Sequence, residues 1–248
     1  VNTTPCGMYP QTGQCLLDVA ALPRLETVLD VVYNPFATEL VLRARDRGLP
    51  AAGGFEMLVA QAVYAAEHFT GKPLDSETLI PQISRELQKE LQNVVLIGMP
   101  GCGKSTVGAA LAKKLGKTFV DADAEIERRT GKAIPDIFAQ EGEAAFRRYE
   151  ADVIADLTRQ NRLVIACGGG VVKTPENRHA LRQNGPVLWV QRPLDKLATA
   201  GRPLSKGGAA LREMERERLP LYRAASTAAL CNDGALADTV AAAQHLLK

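Results

Sequence analysis

No stretch of this chain stays apolar for the ~18–20 residues that a bilayer crossing requires, so no membrane partner is expected. Charge of one sign is lacking too. Thirty Lys and Arg against 28 Asp and Glu leave a formal net charge of +2, too balanced to suggest a nucleic-acid partner. The cysteines form no framework: Cys6, Cys15, Cys102, Cys167 and Cys231 are odd in number, scattered and without C-x-x-C spacing. That argues against a zinc site or disulfide scaffold and for a reducing cytoplasm. The three histidines, His68, His179 and His245, lack metal-ligand spacing and read as structural. Trp189, the single tryptophan, reads as core. There is no internal repeat or low-complexity tract. The chain opens on Val1 without a signal-peptide pattern, and reads as the back portion of something longer.

What the chain does have is one sharp motif. Residues 94–106, VVLIGMPGCGKST, run from an apolar strand into a glycine turn. Gly98, four residues, then Gly103-Lys104-Ser105 fit the phosphate-loop pattern G-x-x-x-x-G-K-[ST]. Gly98, Gly101 and Gly103 let the backbone turn tightly, so that its N–H groups line a concave anion site. A helix beginning near Lys104 adds its positive end. Lys104 is then placed for the β- and γ-phosphates, and the Ser105 hydroxyl for Mg²⁺. The motif predicts a bound nucleoside triphosphate.

From about residue 94 onward, strand-like runs (VVLIG, TFVD, LVIAC, VLWV, TAALC) alternate with helical patterns at 104–115, 123–131, 175–184, 193–199 and 235–247. Such alternation predicts α/β architecture, a parallel sheet with helices on both faces. Chemistry is expected at the strand carboxyl ends, just after Gly98, Val120, Cys167 and Val190. The roughly 50 residues between TFVD and LVIAC hold several helical segments, read as a flap over the sheet mouth. Residues 1–74 have a different texture, and 75–92 read as a charged, helix-prone linker, leaving 93–248 as the second domain.

Four clusters narrow the chemistry. Alternation in an extended Asp121-Ala122-Asp123 puts both carboxylates on one side, one for Mg²⁺ through water and one to take a proton from an acceptor hydroxyl. A helix cap at Asp123 explains the dyad equally well. Arg147 and Glu150, three apart on a helix, offer a carboxylate-gripping arginine or a surface ion pair. Gly168-Gly169-Gly170 after a strand suggests close backbone approach to a ligand, or a tight turn. Arg202 and Arg218 frame a Gly-, Ser- and base-rich segment read as a closing loop. Singly, each is more easily a solvated arginine. Two arginines beyond the phosphate's needs suggest that the acceptor is itself an anion.

In this order and spacing, GMPGCGKST, FVDADAEIERRTG, IFAQEGEAAFRRYE, CGGGVV, GRPL and RLPLYR resemble the shikimate kinase family over residues 94–248. The resemblance implies a P-loop kinase of nucleoside-monophosphate-kinase type with a five-stranded parallel sheet. It implies transfer of the γ-phosphate of ATP to the 3-hydroxyl of shikimate, in a monomeric kinase domain. Gly101, Cys102, Gly103, Lys104, Ser105 and Thr106 would cradle ATP, Ser105 and Asp121 would serve the metal, and Asp123 would hold the shikimate hydroxyls and act as base. Arg147, Gly169 and Arg218 would fix the substrate, and Arg202 would be the lid arginine. The segment LATAGRPL is short and lacks a second arginine that many members use near the adenine.

VNTTPCGMYP, DVVYNPFATELVLRARDRG and GGFEMLVAQAV resemble the C-terminal end of shikimate dehydrogenase. This implies an incomplete α/β dehydrogenase fragment, with Val31 and Gly54 facing a nicotinamide cofactor and Tyr33 and Gln61 facing shikimate. No G-x-G-x-x-G/A loop follows a strand before the kinase region. The fragment is therefore expected to be inactive, with NADP relevant only if an upstream region is present, and the parent to be a dehydrogenase–kinase fusion. Rival readings are another small-metabolite kinase, such as a gluconate kinase, and a non-catalytic nucleotide-binding module.

Overall fold

The computed structural model describes residues 1–197 and 208–247. The chain divides into two compact units, Val1–Gln92 and Asn93–Lys248.

In the first unit, β1 (Val28–Leu29), α1 (Glu39–Asp46), β2 (Ala51–Ala52), α2 (Phe55–Thr70) and α3 (Ser76–Leu91) follow in order. The two short strands pair in parallel. Asp30 is buried and knits the unit together: its carboxylate accepts from Asn2 Nδ2 (3.1 Å), the Val32 amide (3.0 Å) and Thr38 Oγ1 (2.6 Å). Thr38 is in turn the cap of α1. The segment read from sequence as a linker is helix α3, and it belongs to this unit. Asp75 caps it, and Ile80 packs with Val59 and Val63 of α2. Its apolar residues Ile80, Ile83 and Leu87 recur at helical spacing, a pattern partly hidden by the charges between them.

The second unit is built on β3 (Val94–Ile97), β4 (Thr118–Asp121), β5 (Leu163–Ala166), β6 (Val187–Gln191) and β7 (Ala228–Cys231). All pair in parallel in the order β4-β5-β3-β6-β7. Val94, Val95, Leu96 and Ile97 are each at most 1% exposed, as an unbroken apolar run in a strand covered on both faces should be. The chain leaves β3 toward β4, then after β5 passes to β6 on the other side. Connections part at the carboxyl end of β3, where a ligand crevice forms in such sheets. At the opposite end, buried Asn93 donates from Nδ2 to the Gln160 carbonyl (2.7 Å) and accepts from the Leu163 amide (2.9 Å), tying the start of β3 to β5.

Helix α4 (Lys104–Leu115) covers β4 and β5 and packs on α10 (Leu236–Leu246). Gly116, at φ +65°, ends α4 in the left-handed conformation that favours glycine. Between β4 and β5 lie α5 (Ala122–Thr130), α6 (Ile134–Gln140) and α7 (Gly142–Thr158). These are not a separate flap, because Ile126, Ile137, Val153, Ile154 and Leu157 sit in the main core. α8 (Pro175–Gln183) precedes β6.

Two further expectations change. The helical pattern at 193–199 is only a 3-10 turn, Leu194–Lys196, in its described part. The segment read as a closing loop around Arg218 is helical from Gly208 to Ala225 as α9, with Pro220 inside it. Proline there removes one helix hydrogen bond, and the fully buried Tyr222 and Ala225 hold the turn in place. Among the described residues, no helix is long and apolar enough to cross a membrane.

Candidate functional site

The loop after β3 is shaped by its glycines. Gly98, Gly101 and Gly103 have φ of +146°, +83° and +95°. A Cβ on Gly98 would lie 2.4 Å from the Val190 carbonyl oxygen, and one on Gly103 would lie 2.5 Å from Asn232 Nδ2. Gly103 caps α4 without a side-chain hydrogen bond, so the first amides of α4 have no capping oxygen. Asn232 donates from Nδ2 to the Cys102 carbonyl (2.7 Å), and Thr239 Oγ1 donates to Asn232 Oδ1 (3.1 Å). The loop is thereby braced from the β7–α10 side.

Lys104 is buried, and its ammonium donates to the carbonyls of Gly98 and Met99, both at 3.0 Å. Ser105 and Thr106 are exposed in the first turn of α4. Ser105 Oγ donates to Asp121 Oδ2 at 2.5 Å. One hydroxyl beside one carboxylate suits Mg²⁺, which keeps several waters and takes its other ligands from phosphates. Among the described residues no group of three or more His, Cys, Asp or Glu could hold a metal alone.

Asp121 and Asp123 do not sit by strand alternation. Asp121 ends β4 and caps α5, accepting from the amides of Asp123 (3.0 Å) and Ala124 (3.4 Å). Asp123 lies in the first turn of α5. The cap is thus Asp121, and Asp123 is spared that task. A helix start directly after the strand overrides the extended spacing, because the Asp121 carboxylate satisfies amides that extension would leave to water.

The three glycines after β5 bring the pieces together. A Cβ on Gly168 would lie 2.6 Å from Asp123 Oδ1 and 3.3 Å from Glu150 Oε1. One on Gly169 would strike Pro100 of the phosphate loop at 2.7 Å, and one on Gly170 the Arg147 guanidinium at 2.5 Å. Close approach is therefore what these positions require.

Arg147 donates from Nη1 to Glu150 Oε2 (2.7 Å) and from Nη2 to Glu143 Oε1 (3.1 Å). Glu150 is no surface partner: it is 1% exposed, and its Oε1 has no hydrogen-bond partner. Burial raises its pKa, against the opposing charge and hydrogen bond of Arg147. Arg218 is 6% exposed, donates from Nη1 to the Gly169 carbonyl (3.0 Å) and leaves Nε without a partner. Tyr222 donates its hydroxyl to the same carbonyl (2.6 Å), and burial pushes its phenol well up. Glu150 and Arg218 thus bring a buried carboxylate and a buried guanidinium to the glycine triplet.

Sequence reasoning named Lys104, Ser105, Asp121, Asp123, Arg147, Gly169 and Arg218, and these line the carboxyl ends of β3, β4 and β5 or the helices beside them. Arg202 lies outside the described residues. Asn232 was missed, and so was the burial of Glu150, which sequence read only as the i,i+3 partner of Arg147; Tyr222 stood in RLPLYR without an assigned role. Arg192 was missed as well. It lines a cleft of about 400 Å³ at the ends of β6 and β7, with Met99, Trp189, Tyr222 and Cys231. Its Nη1 would stand 3.9 Å from a Cβ on Gly103. In the first unit, a Cβ on Gly54 would lie 2.1 Å from the Val31 carbonyl oxygen, so these two backbones touch. Tyr33 and Gln61 are exposed.

The family model described as shikimate kinase matches residues 100–247. A shikimate kinase of Nitrosomonas europaea is 44% identical over 164 residues, covering 63% of this chain and 77% of that protein. One of Thiobacillus denitrificans is 48% identical over 139 residues, covering 53% and 76%. Among solved structures, shikimate kinase from Acinetobacter baumannii in complex with shikimate is 37% identical with a TM-score of 0.62. That match covers 66% of this chain and 96% of that one. Shikimate kinase from Aquifex aeolicus is 30% identical with a TM-score of 0.57, covering 62% and 95%.

Proposed function

The chain belongs to the shikimate kinase family, and we propose that its second unit moves the γ-phosphate of ATP onto the 3-hydroxyl of shikimate with Lys104, Asp123 and Arg202 as catalytic groups. The protein is a phosphotransferase that phosphorylates shikimate with ATP. Amides from Gly101 to Thr106 and the Lys104 ammonium hold the triphosphate, and the family resemblance assigns Arg202 as the lid arginine. Ser105 and Asp121 would hold Mg²⁺, which when bound neutralises charge on the β- and γ-oxygens. Asp123 accepts the proton of the 3-hydroxyl as that oxygen bonds to the γ-phosphorus. The bond to the β–γ bridging oxygen breaks, and ADP leaves with that oxygen. Arg147 and Arg218 grip the substrate carboxylate, with the Gly169 backbone beneath. The adenine takes the cleft at the ends of β6 and β7, where Arg192 serves for the arginine that LATAGRPL lacks.

The observation that carries this reading is the glycine triplet, which sets Asp123, Pro100 of the phosphate loop and Arg147 against three successive residues. Donor and acceptor then meet at one crevice, and transfer needs little beyond positioning and charge. ADP release in a coupled assay should depend on shikimate and not on gluconate; turnover with gluconate alone would overturn the assignment.

We read the first unit as the C-terminal part of a shikimate dehydrogenase-like domain, on the motifs around Val31, Tyr33, Gly54 and Gln61. Contact between Val31 and Gly54 agrees with a shared cofactor face. The chain as given should not reduce NADP⁺ with shikimate as donor, followed by absorbance of the reduced cofactor. A shikimate-dependent rise would contradict this.

A further inference from the structure

Arg147 has two faces, and both are taken. Nη1 is held by Glu150, whose side chain is 2% exposed and cannot leave without stranding a charge. Nε and Nη2 both donate to one oxygen of Glu143, at 3.3 and 3.1 Å. That Nε–Nη2 edge is one on which a guanidinium grips a planar carboxylate with two parallel bonds. Glu143 is a different kind of partner from Glu150. It lies one helical turn before Arg147, and its side chain is 54% exposed. Its Oε1 also lies 3.7 Å from Lys173 Nζ, which reaches Glu217 at 3.4 Å. Hydrogen bonds from Arg147, then the charges of Lys173 and Arg218, hold the Glu143 carboxyl below the usual range against the effect of burial. A half-exposed carboxylate thus sits among the cations that would read the acceptor's own carboxylate.

We infer that Glu143 is a resident competitor for the substrate carboxylate, occupying the Nε–Nη2 edge of Arg147 until an anionic acceptor displaces it. The inference rests on the reading of Arg147 given above. It makes Glu143 a specificity-determining residue. A ligand must bring a carboxylate and further contacts at Asp123 to open the edge, and the displaced Glu143 stays near Lys173. The competing role is that Glu143 merely steadies Arg147, in which case its loss should weaken binding.

Direct titration with shikimate and with its neutral methyl ester separates the two. An exposed pair of this kind sets a scale of about two- to fivefold. Glu143→Gln and Glu143→Ala should therefore lower the Kd of shikimate by about that factor, leave the ester unchanged, and lose the gain in high salt. Weaker or unchanged shikimate binding in both variants overturns the inference. So does an equal tightening toward ATP, which would mean a general field effect. Arg147→Ala tests the underlying reading separately: it should weaken shikimate by about 10- to 150-fold, the scale of a charged hydrogen bond, and spare the ester. If it leaves shikimate binding intact, the role of Arg147 fails whatever Glu143 does.

Discussion

Asp123→Asn should lower turnover at saturating shikimate and ATP by about two to four orders of magnitude, the usual worth of a positioned general base. ATP affinity should stay nearly unchanged. The substitution keeps the size of the side chain and one acceptor oxygen but removes the ability to take up a proton. Asp121 is committed as the cap of α5 and accepts from Ser105. That cap is untouched by the substitution, and a thermal melt checks that the fold is kept. Single-turnover transfer of labelled γ-phosphate isolates the chemical step from product release. Turnover within a few-fold of the parent would move the proton-accepting role to Glu150, the other carboxylate against Gly168.

The reading of sequence into structure succeeded where one residue type has one physical use. Val94–Ile97 is apolar without alternation, rich in β-branched residues and closed by a glycine turn, which together read as a strand covered on both faces. The glycines of GMPGCGKST adopt positive φ at three positions, as a loop that presents amides must. It failed where local pattern and tertiary context compete. Asp121-Ala122-Asp123 is consistent with an extended strand end and with a helix start, and the capping bonds of Asp121 decide between them. Pro220 and a run of charges made α9 look like a loop, while its anchors, Leu211, Tyr222 and Ala225, are buried only through elements distant in sequence. Glu150 looked like one half of a surface pair, because an i,i+3 spacing says nothing of which face is covered. Asn232, some 130 residues after Cys102, follows no motif, since a brace across the fold needs only an amide at the right place.

Lys104→Met should cut kcat by about two to three orders of magnitude, comparable to removing one preorganised donor from a developing charge, and raise the KM for ATP. Methionine nearly matches the buried stem of the lysine and deletes only the ammonium. The effect on the loop itself is separable from the effect on chemistry. The Gly98 carbonyl loses a donor at 3.0 Å, whereas the Met99 carbonyl keeps the Cys102 amide at 3.2 Å, and an unsatisfied buried acceptor costs about 1–3 kcal/mol. A lower urea midpoint is thus expected alongside the kinetic loss. Asn232→Ala supplies the control. It removes the brace on the Cys102 carbonyl but leaves the charge, so it should cost stability on the same scale with a much smaller fall in kcat. If the two variants lost turnover equally, loop shape rather than the ammonium would be what the phosphate needs, and Lys104 would be a structural residue of the loop.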